Sequence, residues 1–368
     1  MACDLYALAT EGVRALAPYQ PGKPIEELQR ELGLKDVVKL ASNENPLGPG
    51  PQARASVAKS VDDLGRYPDG NGFTLKAALA AHLGIAADMI TLGNGSNDVL
   101  DLVARTFVQP AQEVVFSEHA FAVYALVAQA IGAKLVVTPA RKFGHDLEAM
   151  ADAVGADTRL VFIANPNNPT GTWVTKRDLE TFLRSIPAHV LVVVDEAYFE
   201  YVAEPEYPNC VPWVGQFENL IVTRTFSKAY GLASLRVGYA ISPPAVADLV
   251  NRVRHPFNVN GPGQAAAVAA LQDRAHVTHS VAINRLGMRQ LEQGLKALEL
   301  DCIPSVGNFL CVDVGRPGAQ VYQALLQEGV IVRPVDNYGL PNFLRVTVGL
   351  EAENARFLEA LKTVLARG

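Results

Sequence analysis

Between about residues 88 and 241, short apolar runs at 113–117, 134–138, 159–164, 190–194, 220–224 and 237–241 alternate with stretches of helical pattern. The runs are rich in valine and bounded by glycine and proline, which favours strands over buried helix segments of similar length. They do not alternate apolar with polar, so both faces of each strand are covered, as in a largely parallel sheet layered between helices. The run 190–194 leads into Asp195, which puts a carboxylate at the carboxyl edge of the sheet, where such folds place their chemistry. Upstream, the pattern predicts a helix over 25–32, approached irregularly through Pro18, Pro21 and Pro24, then a rigid loop at Asn43-Glu44-Asn45-Pro46. A helix over 51–64 and a turn at Tyr67-Pro68-Asp69-Gly70 follow. After Pro262 the texture changes: 263–299 reads as helix, 309–314, 330–333 and 343–348 as strands, and 318–328 and 351–366 as helices. The chain is thus expected to divide into an N-terminal arm with part of a small domain (1–66), a large α/β domain (67–260) and a small α+β domain (261–368).

The length of 368 residues, 49% hydrophobic and 19% charged, suits a globular chain with a substantial core. The 32 basic and 38 acidic side chains leave a net charge of -6 without any basic run, so no nucleic-acid partner is expected. Cys3, Cys210, Cys302 and Cys311 lack CxxC spacing, and no histidine has ligand spacing to Asp195-Glu196, so neither a disulfide framework nor a metal is expected. The start has no basic region followed by an apolar one, and no apolar stretch of about 18 residues is free of charge. A cytoplasmic protein away from membranes is the expectation.

The chemistry gathers around Lys228, in Thr225-Phe226-Ser227-Lys228-Ala229-Tyr230-Gly231-Leu232, with Arg236 eight residues on. Lysine is rarely buried without a partner, and a surface position is the alternative for Lys228 taken alone. Arg236, between Leu235 and Val237, calls for a buried anion, and Asp195 at its strand end calls for a positive partner. Pyridoxal phosphate answers all three. The lysine amine meets its aldehyde, Ser227 and Arg236 hold its phosphate, and Asp195 lies under the pyridine nitrogen, keeping the ring an electron sink. Tyr198, and Asn168 in the loop Asn165-Pro166-Asn167-Asn168-Pro169-Thr170-Gly171, are candidates for the ring hydroxyl; a packed core aromatic and a turn residue are the competing explanations. Gly95, Ser96 and Asn97 open a helix whose backbone N–H groups suit a phosphate, the alternative being a plain glycine turn with a capping residue. It is not the dinucleotide fingerprint, because Asp98 stands where a third glycine is needed. Phe121 or His119, after the strand at 113–117, is placed to stack on the cofactor ring.

Over nearly its whole length the chain resembles the histidinol-phosphate aminotransferases, pyridoxal phosphate enzymes of fold type I. The resemblance runs through Tyr19-Gln20-Pro21-Gly22, Leu40 to Pro46, Tyr67-Pro68-Asp69, Asn165 to Gly171, Asp195 to Tyr198, Arg224 to Tyr239, Pro256 to Asn260 and Leu344 to Gly349. It implies a mostly parallel seven-stranded sheet sandwiched by helices, with a smaller α+β domain. By motif, Lys228 becomes the Schiff-base lysine, Asp195 the pyridine-nitrogen partner, and Asn168 and Tyr198 the partners of the phenolic oxygen. Ser227, Arg236 and Gly95, Ser96 and Asn97 fall to the phosphate. Tyr67 would reach that phosphate from a neighbouring subunit, implying a homodimer. Arg345 would grip the carboxylate of glutamate, Arg333 and Tyr19 would favour a substrate phosphate, and Asn43 joins the substrate contacts. One departure stands out: His119-Ala120-Phe121 precedes Tyr124 where the family often carries Pro-Thr-Tyr, so Phe121 can stack but not donate a hydrogen bond. The implied reaction is transamination between L-histidinol phosphate and 2-oxoglutarate, giving imidazole-acetol phosphate and L-glutamate. The alternatives are an aromatic or broad-specificity aminotransferase of the same fold, a decarboxylase of a phosphorylated amino acid, and a non-enzymatic cofactor-binding module.

Overall fold

The computed structural model describes residues 3–18 and 22–367. Seven strands form its main sheet, in the order Ile90–Asn94, Val237–Ile241, Leu220–Thr225, Leu191–Asp195, Thr158–Ala164, Glu113–Ser117 and Lys134–Thr138. Val237–Ile241 runs antiparallel to both neighbours, and every other pairing is parallel. Successive residues of a strand point to opposite faces. Val192, Val194, Val161 and Ile163 therefore enter one core, and Val193, Leu160, Phe162 and Phe116 the other. The strand expected at 190–194 runs one residue further, so that Asp195 is its last rung, paired with Ala164 on one side and Thr223 on the other.

A second, four-stranded antiparallel sheet is built from Cys302–Ile303, Phe309–Asp313, Phe343–Thr347 and Arg333–Pro334. Leu291 and Leu295 of the helix Arg274–Ala297, with Phe357 and Leu361 of Glu351–Ala366, cover it. The single strand expected at 330–333 is in fact two, because this stretch serves two sheets. Val330–Ile331 pairs parallel with Val38–Lys39, while Arg333–Pro334 joins the four-stranded sheet.

Residues just after the expected boundary at 260 pack against the larger sheet. Ala266, Ala267 and Ala270 of the helix Gly261–Gln272 share the main core with Ala53 of the helix Pro51–Ser60. Small side chains on both helices let them lie close over the main sheet. The helix Arg274–Ala297 starts against that core at Val277 and finishes in the smaller one at Leu291 and Leu295. We propose that the division between the two parts falls along this helix. No helix among the described residues is long and apolar enough to cross a membrane.

Candidate active site

Carboxyl ends of the central strands and one edge of the smaller sheet enclose a cavity of about 200 Å³, lined by Lys228, Asp195, Tyr198, Asn168, Arg236 and Arg345 among others. A larger open groove of about 960 Å³ meets it at Gly22, Phe121 and Arg333, but touches neither Lys228 nor Asp195. The smaller cavity holds Lys228 and Asp195, and the groove opens beside it.

Lys228 lies just beyond the strand Leu220–Thr225. Its Nζ donates to the Ser42 carbonyl at 3.2 Å and sits 5.6 Å from the centre of the Tyr198 ring. The lysine turn closes through Gly231, at φ 71°, where a Cβ would stand 2.0 Å from the Gly48 carbonyl oxygen. Only glycine lets the 43–49 loop pack against the lysine turn there. Burial, reinforced by the Arg345 charge, lowers the Lys228 pKa to about 7. Burial likewise raises Asp195 to about 6, against the opposing pull of two hydroxyl donors. These are Thr223 Oγ1, at 2.8 Å from Oδ1, and the Tyr124 hydroxyl, at 3.0 Å from Oδ2.

One end of the cavity suits an anion. No side chain caps the helix Ser96–Phe107, so its first backbone N–H groups lack partners within the helix. Arg236, at φ 54°, donates from Nη1 to Ser227 Oγ at 3.2 Å and to the Ala233 carbonyl at 3.0 Å. Gly95, at φ 80°, lies directly beneath: a Cβ on it would come within 2.3 Å of Arg236 Nη2.

Elsewhere, the Tyr198 hydroxyl accepts a hydrogen bond from Asn43 Nδ2 at 2.9 Å, which leaves its own proton available to a ligand. Asn43, at φ 54°, is itself fixed by its backbone N–H donating to Thr347 Oγ1 at 2.9 Å. Arg345 donates from Nη1 to Asn168 Oδ1 and from Nη2 to the Ala41 carbonyl, so the Asn168 amide N–H groups remain as donors. Arg345 Nε is buried without a partner among the described residues. A buried donor left open in this way is costly unless a ligand fills it.

This donor set fits pyridoxal phosphate. It offers an amine for the aldehyde, a socket for the phosphate, a buried carboxylate for a protonated ring nitrogen, and Tyr198 and Asn168 for a phenolic oxygen. Of the residues singled out in the sequence, Ser96, Asn97, Phe121, Ser227 and Arg333 also line the cavity. Tyr67 does not reach it: the side chain is 84% exposed and stacks on Phe257 at 4.8 Å. His119 turns instead to the Tyr338 carbonyl, leaving Phe121 as the aromatic at the cavity wall. Tyr19 lies outside the described residues. Four contributors were not singled out: Ser42, Tyr124, Thr223 and Thr347. Their contacts depend on strand register and loop path, which sequence spacing does not report.

Residues 35–361 match the model of the family described as aminotransferase class I and II. The chain belongs to this family. It is 58% identical to histidinol-phosphate aminotransferase 2 of Pseudomonas fluorescens (strain Pf0-1), with 100% of each chain covered. It is also 58% identical to histidinol-phosphate aminotransferase 1 of Nitrosococcus oceani, covering 98% of this chain and 97% of that one. The crystal structure of histidinol-phosphate aminotransferase from Sinorhizobium meliloti in complex with pyridoxal-5'-phosphate aligns with a TM-score of 0.88 at 30% identity, over 97% of both chains. A mutant of Thermus thermophilus aspartate aminotransferase shares the fold, with a TM-score of 0.85 at 22% identity, covering 96% of this chain and 99% of that one.

Proposed function

We propose that this chain is a pyridoxal phosphate-dependent aminotransferase that exchanges an amino group between L-histidinol phosphate and 2-oxoglutarate, giving imidazole-acetol phosphate and L-glutamate in histidine biosynthesis. The observation that carries this is the convergence of a half-buried lysine, a buried carboxylate and three arginines on one cavity, in a chain 58% identical from end to end to histidinol-phosphate aminotransferases. When bound, pyridoxal phosphate supplies the electron sink that lets a proton leave the carbon bearing the substrate amino group. Lys228, with its pKa lowered to about 7, is the base that takes this proton from the substrate Cα and returns one as acid. Asp195 would keep a proton on the ring nitrogen, while Tyr198 and Asn168 would donate to the phenolic oxygen. Ser227, Arg236, Gly95, Ser96 and Asn97 form the phosphate socket, and Phe121 covers the ring.

Arg345 binds the glutamate carboxylate through Nε, its open donor, in the planar geometry that suits a carboxylate. Arg333, at the junction of cavity and groove, together with Tyr19 receives the substrate phosphate, and Asn43 keeps Tyr198 oriented beside the substrate. A homodimer acting in the cytoplasm completes the proposal. Val61, Leu64, Tyr67 and Phe73 are 56%, 62%, 84% and 76% exposed, an apolar segment that a second copy would cover. From there Tyr67 would reach the partner's phosphate socket.

Arg333→Gln tests the substrate assignment. A lost charged hydrogen bond costs about tenfold or more in binding, so the KM for L-histidinol phosphate is expected to rise by about that factor while the KM for glutamate changes little. Equal rises for both substrates, or none for the phosphorylated one, would contradict the role given to Arg333.

A further inference from the structure

Tyr124 is fully buried and does not line the cavity, yet its hydroxyl is one of the two that hold Asp195. The two donors come from different elements: Tyr124 from the helix Ala122–Ile131 and Thr223 from the strand Leu220–Thr225. With one hydroxyl on each oxygen, the carboxylate cannot rotate without breaking a bond. Tyr124 is itself immobilised. Its ring stacks on Phe162 at 4.5 Å with an interplanar angle of 4°, and meets Phe121 edge-on at 5.8 Å and 90°. A continuous line of contacts therefore joins Phe121, at the cavity wall, to the carboxylate of Asp195.

We propose that Tyr124 is a positioning residue for Asp195, fixing the direction of its carboxylate and favouring its charged form from behind Phe121, whose own ring has no hydroxyl to offer. The proposal rests on the assignment of Asp195 to the ring nitrogen. The groups that face Asp195 are Thr223, Tyr124, Glu196, Lys228 and Tyr198. Glu196 is already paired with Arg224 at 2.7 Å, and Lys228 donates to the Ser42 carbonyl. Tyr198 is assigned to the phenolic oxygen, so the hydroxyls of Thr223 and Tyr124, which hydrogen-bond the carboxylate, are the neutral groups that replace the water that burial removed from it. Burial and the Asp195 charge also hold the Tyr124 hydroxyl well above its ordinary pKa, so it stays a donor throughout the working pH range. Without it, Asp195 would take up a proton at higher pH and lose its hold on a protonated ring nitrogen.

The experiment compares full-length wild type with Tyr124→Phe, Thr223→Val, Asp195→Asn and the double variant Tyr124→Phe/Asp195→Asn. It measures the dissociation constant of pyridoxal phosphate by equilibrium dialysis across pH 5 to 9. Tyr124→Phe is expected to weaken binding about tenfold, to move the acid limb of the affinity profile to higher pH, and to add nothing in the Asp195→Asn background. Thr223→Val should shift the acid limb in the same direction, and that result decides the matter if Tyr124→Phe fails to fold. The same loss from Tyr124→Phe in both backgrounds would mean that it acts through packing against Phe162 and Phe121, and would overturn the proposal. An unmoved acid limb in Tyr124→Phe, or in Thr223→Val if it must stand alone, would overturn it too. If Asp195→Asn itself leaves binding intact, the assignment of Asp195 fails first and this inference goes with it.

Discussion

Burial drives Lys228 and Asp195 in opposite directions, the amine down to about 7 and the carboxyl up to about 6. In each case the uncharged form gains because water has been removed. For the cofactor-free protein the sign for Lys228 follows from linkage. Its folded pKa lies below the ordinary 10.5, so the unfolded chain binds more protons between about pH 7 and 10.5. Stability therefore rises with pH across that window and is lost as pH falls through it. Lys228→Met should remove this slope and stabilise the cofactor-free protein at pH 7 by on the order of a few kcal/mol. Chemical denaturation at pH 7 and pH 9 measures it, and a slope that survives the substitution would show that Lys228 is not the group responsible. At this scale the sequence was informative where chemistry is local. A lysine among Phe226, Tyr230 and Leu232, an arginine before a strand, and a carboxylate ending an apolar run point to one chemistry when taken together. Thr223 and Tyr124 do not, since each gains meaning only from lying opposite Asp195 in the folded chain.

Two adjacent strands carry the elements on which the site depends. Leu191–Asp195 ends in the carboxylate, and Leu220–Thr225 leads to the lysine turn. Just behind the site, Glu196 and Arg224 tie these strands together. Arg224 donates to Glu196 Oε2 from Nε at 2.9 Å and from Nη2 at 2.7 Å, and its guanidinium lies 3.6 Å from the centre of the Phe199 ring. Both side chains are buried, at 0% exposure for Glu196 and 5% for Arg224. Removing one partner leaves an uncompensated charge, so Glu196→Gln is expected to cost about 3–5 kcal/mol. Urea unfolding would measure this, and a loss below about 1 kcal/mol would show that Arg224 finds compensation elsewhere. The strands were readable because apolar residues on both faces leave a continuous signal. Two-residue strands such as Val38–Lys39 and Cys302–Ile303 are too short for any periodicity, and the break within 330–334 reflects pairing with two different sheets.

At the scale of the molecule, the site exists only where its two parts meet. Lys228 and Asp195 come from the larger sheet, whereas Arg333 and Arg345 come from the smaller one. Phe309 Cα pairs with Thr347, and Arg345, two residues earlier on the same strand, pairs with Cys311, so the smaller sheet presents the arginine and the Asn43 anchor together. A second sheet lies in the stretch where the texture changes after Pro262. That change did not reveal that the helix Gly261–Gln272 still packs over the first, because an alanine-rich face carries no label for the core it will enter. We propose that this composite site moves an amino group to and from a phosphorylated substrate. A single-turnover absorbance titration of the pyridoxal phosphate-loaded protein with L-histidinol phosphate, L-histidinol, L-phenylalanine and L-glutamate tests it most directly. L-histidinol phosphate and L-glutamate are each expected to convert the bound cofactor to its pyridoxamine form, with L-histidinol much slower. Conversion by L-phenylalanine and L-glutamate alone, or equal rates with and without the phosphate, would contradict it.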